Sequence, residues 1–499
     1  MMHDHGKSDA KIVPTKRANK GGPTPAESVE GNAAAKGNSG KQTTLRAQDR
    51  DGVQQALDRV RLRAKTDKGI KFTSLMHHIY ALTTLRTAFY ALKKDSAGGI
   101  DGVTWRDYEG SLEANLKDLS SRLASGAYRA KPVKRVFIPK SDGQQRPLGM
   151  PVFEDKIVQR ATVEVLNAIY ETDFVGFSYG YRPGKSQHNA LDSLYTGILT
   201  KKVNWVLDGD IRSFFDRLDH EWLMRFLEHR IADRRVLRLV RKWLKAGVVE
   251  NGKWERSDDG TPQGGSASPL LANVFLHYVF DLWVLAWRGD RAGGDVVVVR
   301  YADDFVVGFE NKKDASRFRE ELTERLQSFG LELHPEKTRT IEFGQWAGRN
   351  RRRRGEGKPE TFNFLGFTHI CGRKYGNGMF TVNRITIRQR MTRKLHDLRS
   401  ELRRRMHTPV KDQGKWLKAV IVGYDRYYGV PGNWGALLRF RRALGRLWYQ
   451  SLRRRGNRNQ LTWKQMYVQF NMWFPAIQIY HPYPLDRMGV TTRGRSRMR

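Results

Sequence analysis

Two carboxylates stand side by side at Asp303 and Asp304, in the stretch VVVVRYADDFVVGF (296–309), and a second pair, Asp208 and Asp210, closes the run VNWVLDGD. Both pairs interrupt or end β-branched, strand-forming segments, which places the acids at strand ends. An Asp pair in a turn commonly does no more than hydrogen-bond the local backbone. A further acid delivered by a neighbouring strand changes the chemistry. If Asp210 comes beside Asp303, the clustered charges repel and raise one another's pKa unless cations neutralise them. Oxygen ligands without cysteine or an evident histidine suit Mg2+ better than zinc or copper. Two such ions about 3.5–4 Å apart can clamp the attacking and leaving oxygens of a phosphoryl transfer.

The elements that must position these acids are legible from periodicity. Val203 begins a strand that ends at Asp210, and its parallel or adjacent pairing with the 296–309 segment is what would bring the acids together. KRVFIPKSDGQQRPLGM alternates around a Ser141-Asp142-Gly143 turn and reads as a hairpin, with Lys140 and Arg146 flanking its tip. Leu75 to Leu92 recur at helical spacing, TWRD gives an N-cap at Thr104 with Asp107 three residues on, and EDKIVQRATVEVLNAIYE is helical. The loop GTPQGGSASPLLAN turns into an apolar helix, GLELHPEKT reads as a short strand and turn, and NFLGF as another short strand. Residues 384–455 read as long basic helices.

Composition constrains the partners. The chain carries 90 Lys and Arg against 52 Asp and Glu, a formal charge of +38, which calls for a polyanion: nucleic acid or an anionic membrane surface. Residues 346–499 hold +28 of that excess, leaving +10 for the rest. No uninterrupted apolar run approaches the roughly 20 residues that cross a bilayer, and the first 30 residues lack a signal-peptide core, so a cytosolic location is expected. A single cysteine, Cys371, excludes an internal disulfide and multi-cysteine zinc sites.

Eight segments in order resemble the motifs of bacterial group II intron-encoded reverse transcriptase/maturases: GGIDGVTW (98–105), FIPKSDGQQRPLGMP (137–151), FVGFSYGYRPGKS (174–186), LDGDIRSFFDRLDH (207–220), GTPQGGSASPLLAN (260–273), RYADD (300–304), LELHPEKT (331–338) and FNFLGF (362–367). VGYDRYYGVPGN (422–433) and the IYHPYP run resemble that family's maturase, or thumb, region. The resemblance spans roughly residues 70–485.

It implies an α+β right-hand polymerase, with an antiparallel palm sheet and fingers followed by a helical thumb. The expected division is a disordered basic extension at 1–65, fingers and palm at 66–370, a thumb at 371–455 and a basic nucleic-acid-binding segment at 456–499. The resemblance makes Asp210 and Asp303 ligands of two Mg2+ ions, with the Ile211 carbonyl and Asp304 close by. Lys140 and Arg146 would grip the triphosphate of a deoxynucleotide. Phe215 would exclude a 2′-hydroxyl, and Gln263 and Gly264 would approach the nucleotide. Tyr301, Ala302 and Lys337 would lie near primer and template. Arg403, Arg404, Arg405, Arg439, Arg441 and Arg442 would face RNA.

The implied partners are group II intron RNA, an RNA template with a DNA primer, deoxynucleoside triphosphates and target DNA, with no membrane and with nucleoid association in a bacterial cytosol. A splicing-only chaperone should have lost Asp210, Asp303 or the PQG turn, all present here. A CRISPR-associated or diversity-generating reverse transcriptase does not require the YYGVPGN segment, and an RNA-dependent RNA polymerase is disfavoured by the bulk of Phe215. Only 18 residues follow His481, so the His-Asn-His endonuclease of many relatives is expected to be absent.

Overall fold

The computed structural model describes residues 40–139, 145–250, 253–255, 260, 264–374, 376–455 and 461–487. Its strands are β1 (Val133–Pro139), β2 (Gln145–Met150), β3 (Trp205–Asp210), β4 (Val248–Glu250), β5 (Lys253–Glu255), β6 (Val296–Tyr301), β7 (Asp304–Phe309), β8 (Arg339–Glu342), β9 (Phe362–Phe364), β10 (Phe367–Arg373) and β11 (Phe380–Thr386). They form three sheets, ordered β6-β7-β3-β8, β2-β1-β4-β5 and β11-β10-β9.

The first sheet is antiparallel throughout, and β3 runs between β7 and β8. Val296 to Val299 are all buried, as expected of a strand covered on both faces. Val298 and Val307 face a large core shared with the helices Phe153–Tyr170 and Ser268–Leu276. Val297 and Val299 face a second core beneath the helix Gln187–Thr200. The Thr104–Asp107 capping box forms as the sequence indicates. The 75–92 segment is two helices, Met76–Tyr80 and Leu82–Ala91, broken by extended backbone at Ala81.

Four elements depart from expectation. A helix spans Gly40–Thr66 and buries Leu57, Val60 and Ala64, so order begins well before residue 65. Its narrow apolar stripe is diluted by charge, which hides the period in composition. Residues 1–39, the remainder of that expected extension, lie outside the described residues. Second, the LELHPEKT strand shrinks to a single bridge, Leu333 with Ile211, and the ladder forms downstream at β8. Third, β10 pairs with β11 across the expected boundary at residue 370, so the helical part begins after Thr386. Fourth, Ser268–Asp290 is long and apolar enough to span a bilayer by composition, but 72% of its apolar window is buried inside the protein.

The C-terminal helices, Arg388–Arg404, Val410–Tyr428 and Trp434–Arg453, enclose their own core around Leu417, Phe440, Leu444 and Trp448. A strap after them returns to the second core. Within the Gln187–Thr200 helix, buried Asp192 accepts a hydrogen bond from Arg384 of β11 at 2.6 Å and forms an ion pair with Arg487 at 2.7 Å. His481 stacks on His188 with ring centroids 3.6 Å apart.

Candidate active site

The β6–β7 hairpin closes through only two residues, Ala302 and Asp303, and Ala302 takes a left-handed φ of 57°. Alanine adopts that conformation at a cost, so the turn needs external support. Arg300 supplies it from full burial. Its guanidinium donates to the Ala302 carbonyl at 2.9 Å, to Asn273 Oδ1 at 3.1 Å, to Ser178 Oγ at 2.8 Å and to both carboxylate oxygens of Asp281 at 2.7 and 2.6 Å. Asp281 ends a π-helical turn, His277–Asp281, inside the long apolar helix. Burial by itself would push this carboxyl upward, but Arg300 and His277 outweigh it and hold the carboxyl below its ordinary value. On the other side of the turn, a Cβ at Gly180 would fall 2.2 Å from the Ala302 nitrogen. The Gly180 carbonyl accepts from Asn273 Nδ2 at 2.7 Å, which closes the scaffold.

Thus fixed, the turn faces the end of β3. Asp210 and Asp304 are register partners, and Asp303 adjoins them. Asp304 is exposed at the start of β7, with the carboxylates of Asp303, Asp210 and Asp208 around it. Loss of hydration there, with the charges of Asp303, Asp210 and Asp208, raises its pKa to about 7. Desolvation likewise raises Asp208 to about 7, reinforced by Asp210 and opposed by Arg339. Lys337 places its ammonium 3.0 Å from Asp210 Oδ2. Among the described residues no three potential ligands close on one point as they stand. The crowding fits a divalent cation nonetheless, since carboxylates that suppress one another's ionisation are relieved by positive charge, and a lysine already lies against one of them. Ile211 is buried, and its backbone is pinned by Arg212 N to the Glu332 carbonyl and His334 N to the Asp210 carbonyl.

The remaining site residues distribute unevenly. Phe215 is half-buried in a 3-10 turn, its ring meeting Phe214 in an edge-to-face contact at 5.4 Å. Gly264 has φ 119°, and a Cβ there would meet the Gly149 carbonyl at 2.6 Å, so Gly264 packs against the backbone of β2. Lys140, Gln263 and the side chain of Arg146 lie outside the described residues. Tyr301 is half-buried and 6.4 Å from Tyr181.

The expected RNA-facing arginines divide. Arg439 and Arg442 are exposed on one stripe of the Trp434–Arg453 helix, together with Arg446 and Arg453. Arg441 does not share that face and is corrected to an internal role. It is buried, and it bonds to Asp425 and to the carbonyls of Pro475 and Ala476. Arg403 and Arg404 are both exposed, and Glu401 pairs with Arg404 and with half-buried Arg405, each at 2.7 Å.

Sequence reasoning gave no role to Arg300, Asp281, Asn273 or Gly180, although all but Asp281 fall inside the quoted motifs. It also missed Arg390, at the start of the first C-terminal helix. The Arg390 guanidinium lies against the Leu365–Gly366 turn, 3.2 Å from where a Gly366 Cβ would stand, and its charge reaches Asp304. Tyr427 Oη donates to the Leu365 carbonyl at 2.9 Å and fixes the same turn, where Leu365 has φ 45°.

Comparison with known proteins agrees with this arrangement. Residues 138–369 match the family "Reverse transcriptase (RNA-dependent DNA polymerase)". Protein YkfC of Escherichia coli K12 is 35% identical over 271 residues, covering 48% of this chain and 71% of that protein. The group II intron-encoded protein LtrA of Lactococcus lactis subsp. cremoris is 34% identical over 250 residues, covering 50% of this chain and 41% of LtrA. Nuclear intron maturase 1 of Arabidopsis thaliana, a mitochondrial protein, is 30% identical over 98 residues, 19% of this chain and 13% of that one.

Proposed function

Because the chain belongs to the group II intron-encoded reverse transcriptase/maturases, RNA-directed DNA polymerases that also assist splicing, we propose that it extends a DNA primer on its intron RNA at the Asp210, Asp303 and Asp304 cluster and clasps that RNA with its C-terminal helices. The observation that supports this most directly is the register that sets Asp210 opposite Asp304, beside a turn that buried Arg300 holds in a strained shape.

In this proposal Asp210, Asp303 and the Ile211 carbonyl would hold two Mg2+ ions, with Asp304 tuning the field around them. Mg2+ bound there supplies Lewis-acid activation of the primer 3′-hydroxyl and neutralises charge on the phosphoryl oxygens. The carboxylates align the primer terminus with the α-phosphorus of the incoming nucleotide. Lys337, whose ammonium lies 3.0 Å from Asp210 Oδ2, would bind the primer or template backbone, and Tyr301 and Ala302 would lie along the same stretch. Phe215 presents its open face to the sugar and excludes a 2′-hydroxyl by bulk. Lys140 and Arg146 grip the triphosphate from the β1–β2 hairpin, while Gln263 and Gly264 back the nucleotide. Arg390 sits where the primer phosphates would pass over the Leu365–Gly366 turn. The helices after Thr386 form the thumb, and their exposed arginines track RNA phosphates, with target DNA as a second polyanionic partner.

Primer extension on an RNA template with deoxynucleotides and Mg2+ tests the assignment. Asp303→Ala should abolish extension without altering RNA binding, and wild-type extension by this variant would refute it.

A further inference from the structure

Gly260, eight residues before the Ser268–Leu276 helix, is gripped from several sides by the segment that carries Phe215. Its φ is 81°, and a Cβ there would stand 2.8 Å from the carbonyl oxygens of both Phe215 and Asp216, so only glycine meets the backbone and the space together. Its nitrogen donates to the Leu218 carbonyl at 2.8 Å. Its own carbonyl lies 2.5 Å from His220 Nε2, and since a carbonyl can only accept, Nε2 carries the proton.

The turn that Gly260 supports needs such help. Phe214–Asp216 is a single 3-10 turn, a conformation with poor hydrogen-bond geometry of its own. Ser213 before it has φ 49°, which a serine adopts at a cost. Phe214 is anchored in the core, and Arg217 Nη1 donates to Glu332 at 2.7 Å from an exposed position. Phe215, half-buried between these anchors, is placed by its backbone, whose carbonyl rests on Gly260. A ring that rejects a 2′-hydroxyl by bulk must be held to within about 0.5 Å. His220 is itself well fixed for this task. It opens the His220–Glu228 helix directly after the Asp219 cap, whose carboxylate accepts from Trp222 N at 2.8 Å.

We infer that His220 is a positioning residue for sugar selection: by holding the Gly260 carbonyl it keeps Gly260 against the Phe215 turn and so fixes the ring that excludes a 2′-hydroxyl. The inference rests on the polymerase reading above and on the part it gives to Phe215.

The test measures primer extension by the full chain on an RNA template in Mg2+, taking kcat/KM for a deoxynucleotide over that for the matching ribonucleotide. This ratio does not depend on the fraction of active protein, so a variant that merely folds less well leaves it unchanged. His220→Ala should lower it about twofold to tenfold, the worth of one hydrogen bond. His220→Gln, whose amide can donate from a similar place, should keep it near the wild type. Gly260→Ala should lower it as well, by pressing on the Phe215 and Asp216 carbonyls. In a Phe215→Val background His220→Ala should cause no further fall, because the ring it positions is already gone. An unchanged ratio in either alanine variant, an equal fall in His220→Gln, or an additive fall in the double variant would overturn the inference. If Phe215→Val alone keeps the wild-type ratio, Phe215 does not select the sugar, and the role of His220 fails with it. A wild type that extends no primer refutes the polymerase reading itself, and this inference with it.

Discussion

Replacing Arg300 by methionine tests the origin of the active-site turn. The change keeps volume and apolar contact but leaves Asp281 as a fully buried carboxylate without its partner. Breaking a buried pair in this way costs about 3–5 kcal/mol, and each stranded acceptor that stays dry, such as the Ala302 carbonyl, costs about 1–3 kcal/mol more. Against a domain stability of about 5–15 kcal/mol this is a large fraction. Denaturant unfolding should therefore show a clear loss of stability. The pH dependence should also invert. In the wild type the depressed Asp281 pKa gives stability that is present above the ordinary carboxyl value and lost as pH falls through the folded one. In Arg300→Met only His277 still opposes desolvation, the folded pKa rises, and stability falls as pH rises above the ordinary value. Adding Asp281→Leu removes the buried charge and should restore much of the stability. It cannot return a donor to Ala302, so primer extension should stay depressed, by about 100-fold if the carboxylates shift by about 1 Å. Recovery of extension together with stability in the double variant would refute the claim that Arg300 positions the turn.

Gly180→Ala should depress extension strongly while template binding persists, because its Cβ falls on the Ala302 backbone; unchanged kcat would contradict that contact. Phe215→Val should admit ribonucleotides, with discrimination falling at least tenfold in a direct dNTP against NTP competition. Asp304 and Asp208, both raised to about 7, make the metal-free fold hold protons that the unfolded chain has released, so its stability should fall as pH rises from about 4 to 7. Mg2+ should reverse that loss at pH 7 and above, and thermal melts with identical profiles in Mg2+ and in chelator would argue against carboxylate crowding. Arg441→Ala should destabilise the C-terminal helices by about 3–5 kcal/mol by stranding Asp425, with no change in the salt slope of RNA binding.

The acids and their strands were readable because strand-forming runs ending in carboxylates leave a local pattern. Their adjacency was expected, but the antiparallel register that sets Asp210 opposite Asp304 was not, since local periodicity is silent about register between segments distant in sequence. Arg300 stood within a quoted motif but gave no signal of burial, because an arginine in a valine run reads as a solvated face. Its partner, Asp281, lies outside the quoted motifs in a π-helical turn whose offset breaks the helical period. Arg441 misled for the converse reason. In FRRALGRLW three arginines share a helix, and the position of the unseen Asp425 decides which one turns inward. The Gly40–Thr66 helix was lost because, among the described residues, its buried apolar face is only Leu57, Val60 and Ala64.

Asp192 carries a consequence for biosynthesis. Its two cationic partners arrive late, Arg487 about 300 residues after it, so at ordinary rates of translation the carboxylate waits roughly 15–60 s before its second partner emerges. Until then the core beneath the Gln187–Thr200 helix contains an acid that is only partly compensated, and the His188 ring lacks the ring that stacks on it. A ribosome-bound chain therefore holds its catalytic sheet against an unfinished layer, and stalled or prematurely ended translation should yield polymerase domains that are poorly consolidated and open to proteolysis. Quality control over the copying enzyme is in this way written into one ion pair.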